Sequence, residues 1–161
     1  MLNEIDNGRK VTLSQIEADW SPLEWKFDLG GVEHTLRGHS SDSSGNKSKF
    51  SEQFSQAGKI AKLFKEVRGN IYLATQKDKQ LPRESAFYEQ NGSLCLVLPA
   101  AWLSETLQSM GMYKTIAGIP RPYRFFRFVV GRTEGKYYLA STYPVETDRA
   151  LGTIRYYSRS K

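Results

Sequence analysis

The 161 residues carry 23 Lys and Arg against 17 Asp and Glu, a formal charge of +6, and 39% of them are hydrophobic. That is enough apolar material for one packed domain and too much for a disordered chain. The single cysteine, Cys95, excludes an internal disulfide framework and a cysteine metal cluster. No apolar run is long enough to cross a bilayer as a helix, so no membrane association is expected.

Near the start, "VTLSQIEADW" gives Thr12 and Gln15 the spacing of a capping box. A short helix containing Ile16 should follow and stop before Pro22. "PLEWKFDL" then alternates Leu23, Trp25, Phe27 and Leu29 with polar residues, which predicts a half-buried strand. Residues 40–48 are dense in Ser, Gly, Asn and Asp and are expected to form a polar surface loop.

From Phe50 the apolar positions follow a helical period through Phe54, Ala57, Ile60, Phe64 and Val67, with Lys59, Lys62, Lys65 and Arg68 on the wetter side. Gly69 and Asn70 read as its stop, and "IYLATQ" as a short strand beyond them. "KDKQLPRES" reads as a polar connection and "SLCLVLP" as a buried strand. "PAAWLSETLQSMG" suggests a helix from Pro99 to about Gly111, with Trp102, Leu103, Leu107 and Met110 inward.

"AGIPRPY" is expected to be a rigid basic loop leading into a hairpin that pairs "YRFFRFVV" with "KYYLASTY" across "GRTEG". Alternation places Phe126, Phe128 and Val130 on one face and Phe125, Arg127 and Val129 on the other, so one side can meet a helix and the other can carry a cation. "GTIRYYS" is predicted as a last strand. The whole chain, 1–161, is expected to be a single α+β domain. Its antiparallel sheet should have about four to five strands packed against two or three helices, the helices lying on one side.

Chemistry points first to the two histidines, His34 and His39, which lie close together among Gly30, Gly31 and Gly38. Histidine alone titrates near neutrality without perturbation, so these two are the candidates for general acid and base. If "TLRG" between them is a turn, both imidazoles can face one cleft; in a regular strand, residues five apart point to opposite faces. A metal site would require Asp28, Glu33 or Asp42 to complete the shell, at no established ligand spacing, and no metal or cofactor is expected.

Arg37 between the histidines is a candidate phosphate clamp, and Lys47, Lys49, Arg124 and Arg127 are candidate nucleic-acid contacts. Ser141, Thr142 and Tyr143 end an apolar strand before Pro144, where a hydroxyl can meet a phosphate oxygen or position a leaving group. Tyrosines and phenylalanines interleaved with the late cations can stack bases, or can simply fill the core of the sheet.

A basic α+β chain with an early glycine-flanked histidine, an antiparallel sheet and a late strand running into "STYPVE" resembles the small bacterial toxin ribonucleases, the group of barnase, the tRNA-cutting colicins and the RelE-type toxins. The resemblance implies an early catalytic role for His34 or His39, charge stabilisation by Arg37 or Arg127, and a late role for Ser141 or Thr142. In barnase itself the catalytic histidine comes late, whereas no histidine follows His39 here. An inhibitory protein partner is compatible with this resemblance.

The expected activity is therefore metal-independent RNA cleavage by general acid-base catalysis, with His34, His39, Arg37 and Thr142 as the catalytic set. The alternative is a non-enzymatic module that binds RNA, another polyanion or a protein. Transfer chemistry on a nucleotide cofactor ranks below both, because no phosphate-binding glycine fingerprint occurs. No amino-terminal apolar stretch precedes a small-residue cleavage site, so the expected location is the cytoplasm, or another cell reached by a signal-less route.

Overall fold

The computed structural model describes residues 8–21, 25–26, 57–77, 79–103, 113–116, 119–122, 124–133 and 136–159. In chain order these form β1 (Arg9–Lys10), α1 (Leu13–Asp19), β2 (Trp25–Lys26), α2 (Ala57–Thr75), β3 (Ala86–Gln90) and β4 (Ser93–Pro99). They continue through a 3-10 turn (Ala100–Trp102), β5 (Tyr113–Ile116), β6 (Ile119–Pro122), β7 (Phe125–Thr133), β8 (Lys136–Val145) and α3 (Thr147–Arg159).

The main sheet has the order β1-β3-β4-β7-β8-β2. Its first five strands are antiparallel, and β2 joins β8 in parallel over two residues. Together with the three α-helices this makes the expected α+β domain. β5 and β6 pair separately as a two-stranded ribbon.

The predicted hairpin is the centre of the sheet. β7 pairs with β4 through Leu96↔Phe128 and with β8 through Phe128↔Thr142. The period-two alternation divides β7 as the sequence implies: Phe126, Phe128 and Val130 enter one apolar cluster, Phe125 and Val129 the other. A bulge between Val129 and Val130 sets Ser141 opposite Val129 and Leu139 opposite Val130, leaving Ala140 as the extra residue. That one-residue shift turns Leu139 and Tyr137 toward the first cluster.

α1 carries the capping box in full: Thr12 Oγ1 accepts from the Gln15 amide, and Gln15 Oε1 accepts from the Thr12 amide. α2 buries Ile60, Leu63, Phe64, Val67, Ile71 and Ala74. Its apolar stripe therefore continues past Gly69, and the helix runs to Thr75 where a strand was predicted from "IYLATQ". Asn70 does not end it, because its side chain is engaged outside the helix: Nδ2 donates to the Trp102 carbonyl at 3.2 Å and Oδ1 accepts from Lys79 Nζ at 3.1 Å. The chain leaves the helix at Lys77, which has the left-handed φ of 65°.

β3 was not foreseen, although its signal is present. Asn91 and Gly92, both at positive φ (53° and 79°), form the tight turn that an Asn-Gly pair favours between two strands. The "AGIPRPY" segment was expected as a loop; β6 occupies residues 119–122 of it. Of the helix expected from Pro99, the described part is the 3-10 turn, after which Leu103 is extended; residues 104–110 lie outside the described residues, as does the expected loop at 40–48.

"GTIRYYS" is helical rather than a strand. It lies inside α3, whose buried residues Ala150, Thr153, Ile154 and Tyr157 follow the i, i+3, i+4, i+7 spacing of one helix face. β-branched and aromatic residues favour strands in isolation, and here packing overrides that preference. α3 covers Ala86, Tyr88, Cys95, Val97 and Phe125, the sheet face opposite α1 and α2. The helices thus flank both faces, not one as expected.

Two glycines give opposite expected outcomes. A Cβ at Gly8 would lie 1.8 Å from the Tyr157 hydroxyl, whereas at Gly69, exposed on α2, it would meet nothing within 4 Å. Gly8→Ala should lower stability by about 1–3 kcal/mol, and Gly69→Ala should raise it by about 0.5–1 kcal/mol, both read as shifts in urea midpoint.

Candidate functional site

β7 carries Arg127 on the α3 side of the sheet, opposite Val97 of β4 and Tyr143 of β8. The side chain is half-buried. Nη1 donates to Tyr143 Oη at 2.6 Å, and Nη2 points to Gln90 Oε1 and Cys95 Sγ, each at 3.4 Å. The Tyr88 and Tyr143 rings flank the guanidinium carbon, their centroids 6.0 Å and 5.8 Å away. Tyr88 is in turn stacked on Tyr157 of α3, with centroids 4.3 Å apart and planes within 9°.

This cation is held entirely by neutral groups. Among the described residues no carboxylate lies within ion-pair distance of Arg127, and its buried Nε finds no acceptor. Burial works against the charge, but Tyr143, Tyr88 and Cys95 favour it more strongly, and the guanidinium pKa is raised above its ordinary value. Burial likewise raises the Tyr88 phenol, with Arg127 pulling the other way. At neutral pH the site therefore holds a charged guanidinium beside the protonated Tyr88 phenol.

Of the other residues proposed from sequence, Ser141, Thr142 and Arg124 lie among the described residues. Ser141 faces the Arg127 side, two residues from Tyr143, and is half-buried. Thr142, between them, points the other way and is fully buried in the layer of Phe128, so it does not converge with Arg127. Arg124 is exposed just before β7, its guanidinium carbon 6.0 Å from the Phe125 ring centroid. His34, His39, Arg37, Lys47 and Lys49 lie outside the described residues. Among the described residues no group of three His, Cys, Asp or Glu could hold a metal ion.

Other cations are spent on holding the fold. Arg132 lies over the Trp20 ring at 4.5 Å and donates to the Asp19 carbonyl at 3.2 Å, which also accepts from Tyr137 Oη at 2.7 Å. Trp20 Nε1 donates to Glu89 at 3.3 Å, and Arg9 pairs with the same carboxylate at 3.5 Å. Arg68 Nη1 donates to the Trp25 carbonyl at 2.6 Å, while Trp25 Nε1 donates to the Trp20 carbonyl. Lys62 and Lys65 are exposed on α2, and Lys59 is half-exposed one turn earlier.

Alternation along β7 points to Arg127 and the end of β8 to Tyr143, but the other aromatic wall, Tyr88, comes from β3, and its stacking partner Tyr157 from a segment expected as a strand. No family model matches the chain, and neither does any curated protein or solved structure.

Two outcomes are expected from this geometry. An apolar side chain of similar length avoids the cost of desolvating a guanidinium that has no carboxylate beside it among the described residues, so Arg127→Met should keep or raise the urea midpoint. The folded state holds the Tyr88 proton more tightly than the unfolded chain, and the Arg127 shift has the same sign. The Tyr88 contribution is therefore complete below the ordinary tyrosine pKa of 10.0 and is lost as pH rises above it, whereas Arg127 keeps its proton throughout that range. Urea midpoints measured from pH 8 to about pH 11 should fall at the alkaline end, and less steeply in Tyr88→Phe.

Proposed function

We propose that the protein binds RNA through its phosphates, and that His34 and His39 cleave the bound strand. The observation that carries the binding reading is the row of Lys59, Lys62 and Lys65 along the outward side of α2, in a chain of net charge +6. Successive members are three residues apart and so share one side of the helix, where cations can follow a phosphate backbone. Glu66 is the only acidic residue in α2.

The catalytic part is supported by sequence: two imidazoles close together in a glycine-rich segment, with Arg37 between them. Internal attack of a 2′-hydroxyl on the adjacent phosphate needs a base for the hydroxyl proton, an acid for the leaving oxygen and a cation beside the charge that develops. His34 and His39 supply the first two and Arg37 the third. Lys47, Lys49, Arg124 and Ser141 would hold flanking phosphates.

A labelled single-stranded RNA tests both parts. Binding followed by anisotropy should weaken steeply as salt rises, and Lys62→Gln with Lys65→Gln should reduce the slope of log K against log salt by about 0.7 for each phosphate no longer neutralised. Denaturing gels should show cleavage without added metal that disappears in His34→Ala with His39→Ala. Binding without cleavage would leave a nucleic-acid-binding module; salt-independent binding or none would reject the proposal.

A further inference from the structure

We propose that Arg127 is an oxyanion site that takes one phosphate group from the sheet face between α3 and β8. That this phosphate belongs to RNA rests on the preceding proposal; the site itself rests on the geometry around the guanidinium.

Placing a guanidinium in the layer between a sheet and a helix costs free energy unless a counter-charge or a full set of acceptors offsets it. Arg127 has neither. A guanidinium carries five N–H donors, and here one makes a short bond, to the Tyr143 hydroxyl. The contact to Gln90, at 3.4 Å, lies at the outer limit of a hydrogen bond, the one to Cys95 goes to a weak neutral sulfur acceptor, and Nε has no acceptor among the described residues. Two of the five donors, Nε–H and one on Nη1, thus have no partner among the described residues, and no counter-charge there meets the guanidinium. A phosphate, which matches that fork and supplies the missing negative charge, can replace the two weak contacts.

The surroundings hold this donor in place. Tyr88 is fixed by its stack on Tyr157, so the aromatic wall is built before any ligand arrives. α3 packs on β3, β4 and β7. On β8 the residues of this face, Ser141 and Tyr143, are only half-buried, and the Tyr143 hydroxyl already accepts from Arg127. Sealing by α3 on the other side lowers the local dielectric and strengthens an ion pair formed there. The site is separate from the lysine row on α2, which lies over the opposite face of the sheet.

The test titrates inorganic phosphate, then a short single-stranded RNA, into the full chain and into Arg127→Met and Arg127→Lys. The readouts are the NMR resonance of the Arg127 Nε–H and the melting temperature. Phosphate should move that resonance and raise the melting temperature of the parent protein. Arg127→Met should stay folded and lose the response to phosphate, and its affinity for RNA should fall about tenfold or more, as expected when a charge-assisted hydrogen bond is removed. Arg127→Lys should recover the charge without the fork and respond only weakly to phosphate.

A phosphate-dependent shift at Arg127 in a chain that does not bind RNA upholds the site and rejects RNA as its ligand. An unmoved Arg127 resonance at saturating phosphate, or phosphate binding unchanged in Arg127→Lys, overturns the proposal and leaves Arg127 as a packing residue. Because the first readout uses the parent protein, a failure of Arg127→Met to fold does not remove the test.

Discussion

Strict alternation of side chains along β7 is the constraint from which the rest of the molecule follows. Each residue of this central strand must commit to one of two faces, and the faces have been given different chemistry. Phe126 and Phe128 meet edge-on at 5.0 Å, Phe128 stacks on Phe64 of α2 at 6.0 Å, and Phe64 in turn stacks on Trp25 at 6.1 Å. One face is thus an aromatic core. The residue between the two phenylalanines is Arg127, and the same geometry that buries its neighbours under α2 sends it beneath α3.

The bulge in β8 lets that division reach the ends of the sheet. Without the extra residue, Leu139 and Tyr137 would turn to the Arg127 face and the aromatic core would stop at Val130. With it, Tyr137 comes within 5.6 Å of Trp20, and the short α1 is fastened by Arg132, Tyr137 and Glu89 to strands β7, β8 and β3. A seven-residue helix has little stability of its own. Its capping box sets where it begins, and these contacts at its far end hold it against the sheet.

How much could be seen in the sequence depended on whether a signal was local. The capping box, the β4 run and the alternation of the central hairpin are patterns within ten residues, and each appears in the structure where it was expected. The errors came where tertiary packing outweighed a local preference. Gly69 costs α2 a little, but burying Ile71 and Ala74 one turn later offsets it. In α3, Ile154, Tyr156 and Tyr157 favour a strand by composition, while the spacing of Ala150, Thr153, Ile154 and Tyr157 is helical. Arg127 was legible as a cation on one face; the Tyr88 wall was not, since it belongs to β3 and is fixed by Tyr157, nearly seventy positions further along the chain.

The edge of the sheet formed by β1 has a consequence for how copies of this chain behave together. An unpaired strand edge offers its amides and carbonyls to any extended chain, which is the route by which sheets recruit one another into aggregates. Here that border is only two residues long, and both, Arg9 and Lys10, are exposed and positively charged. A second molecule approaching in the same orientation brings the same two charges, so like-sign repulsion guards the border against self-templating.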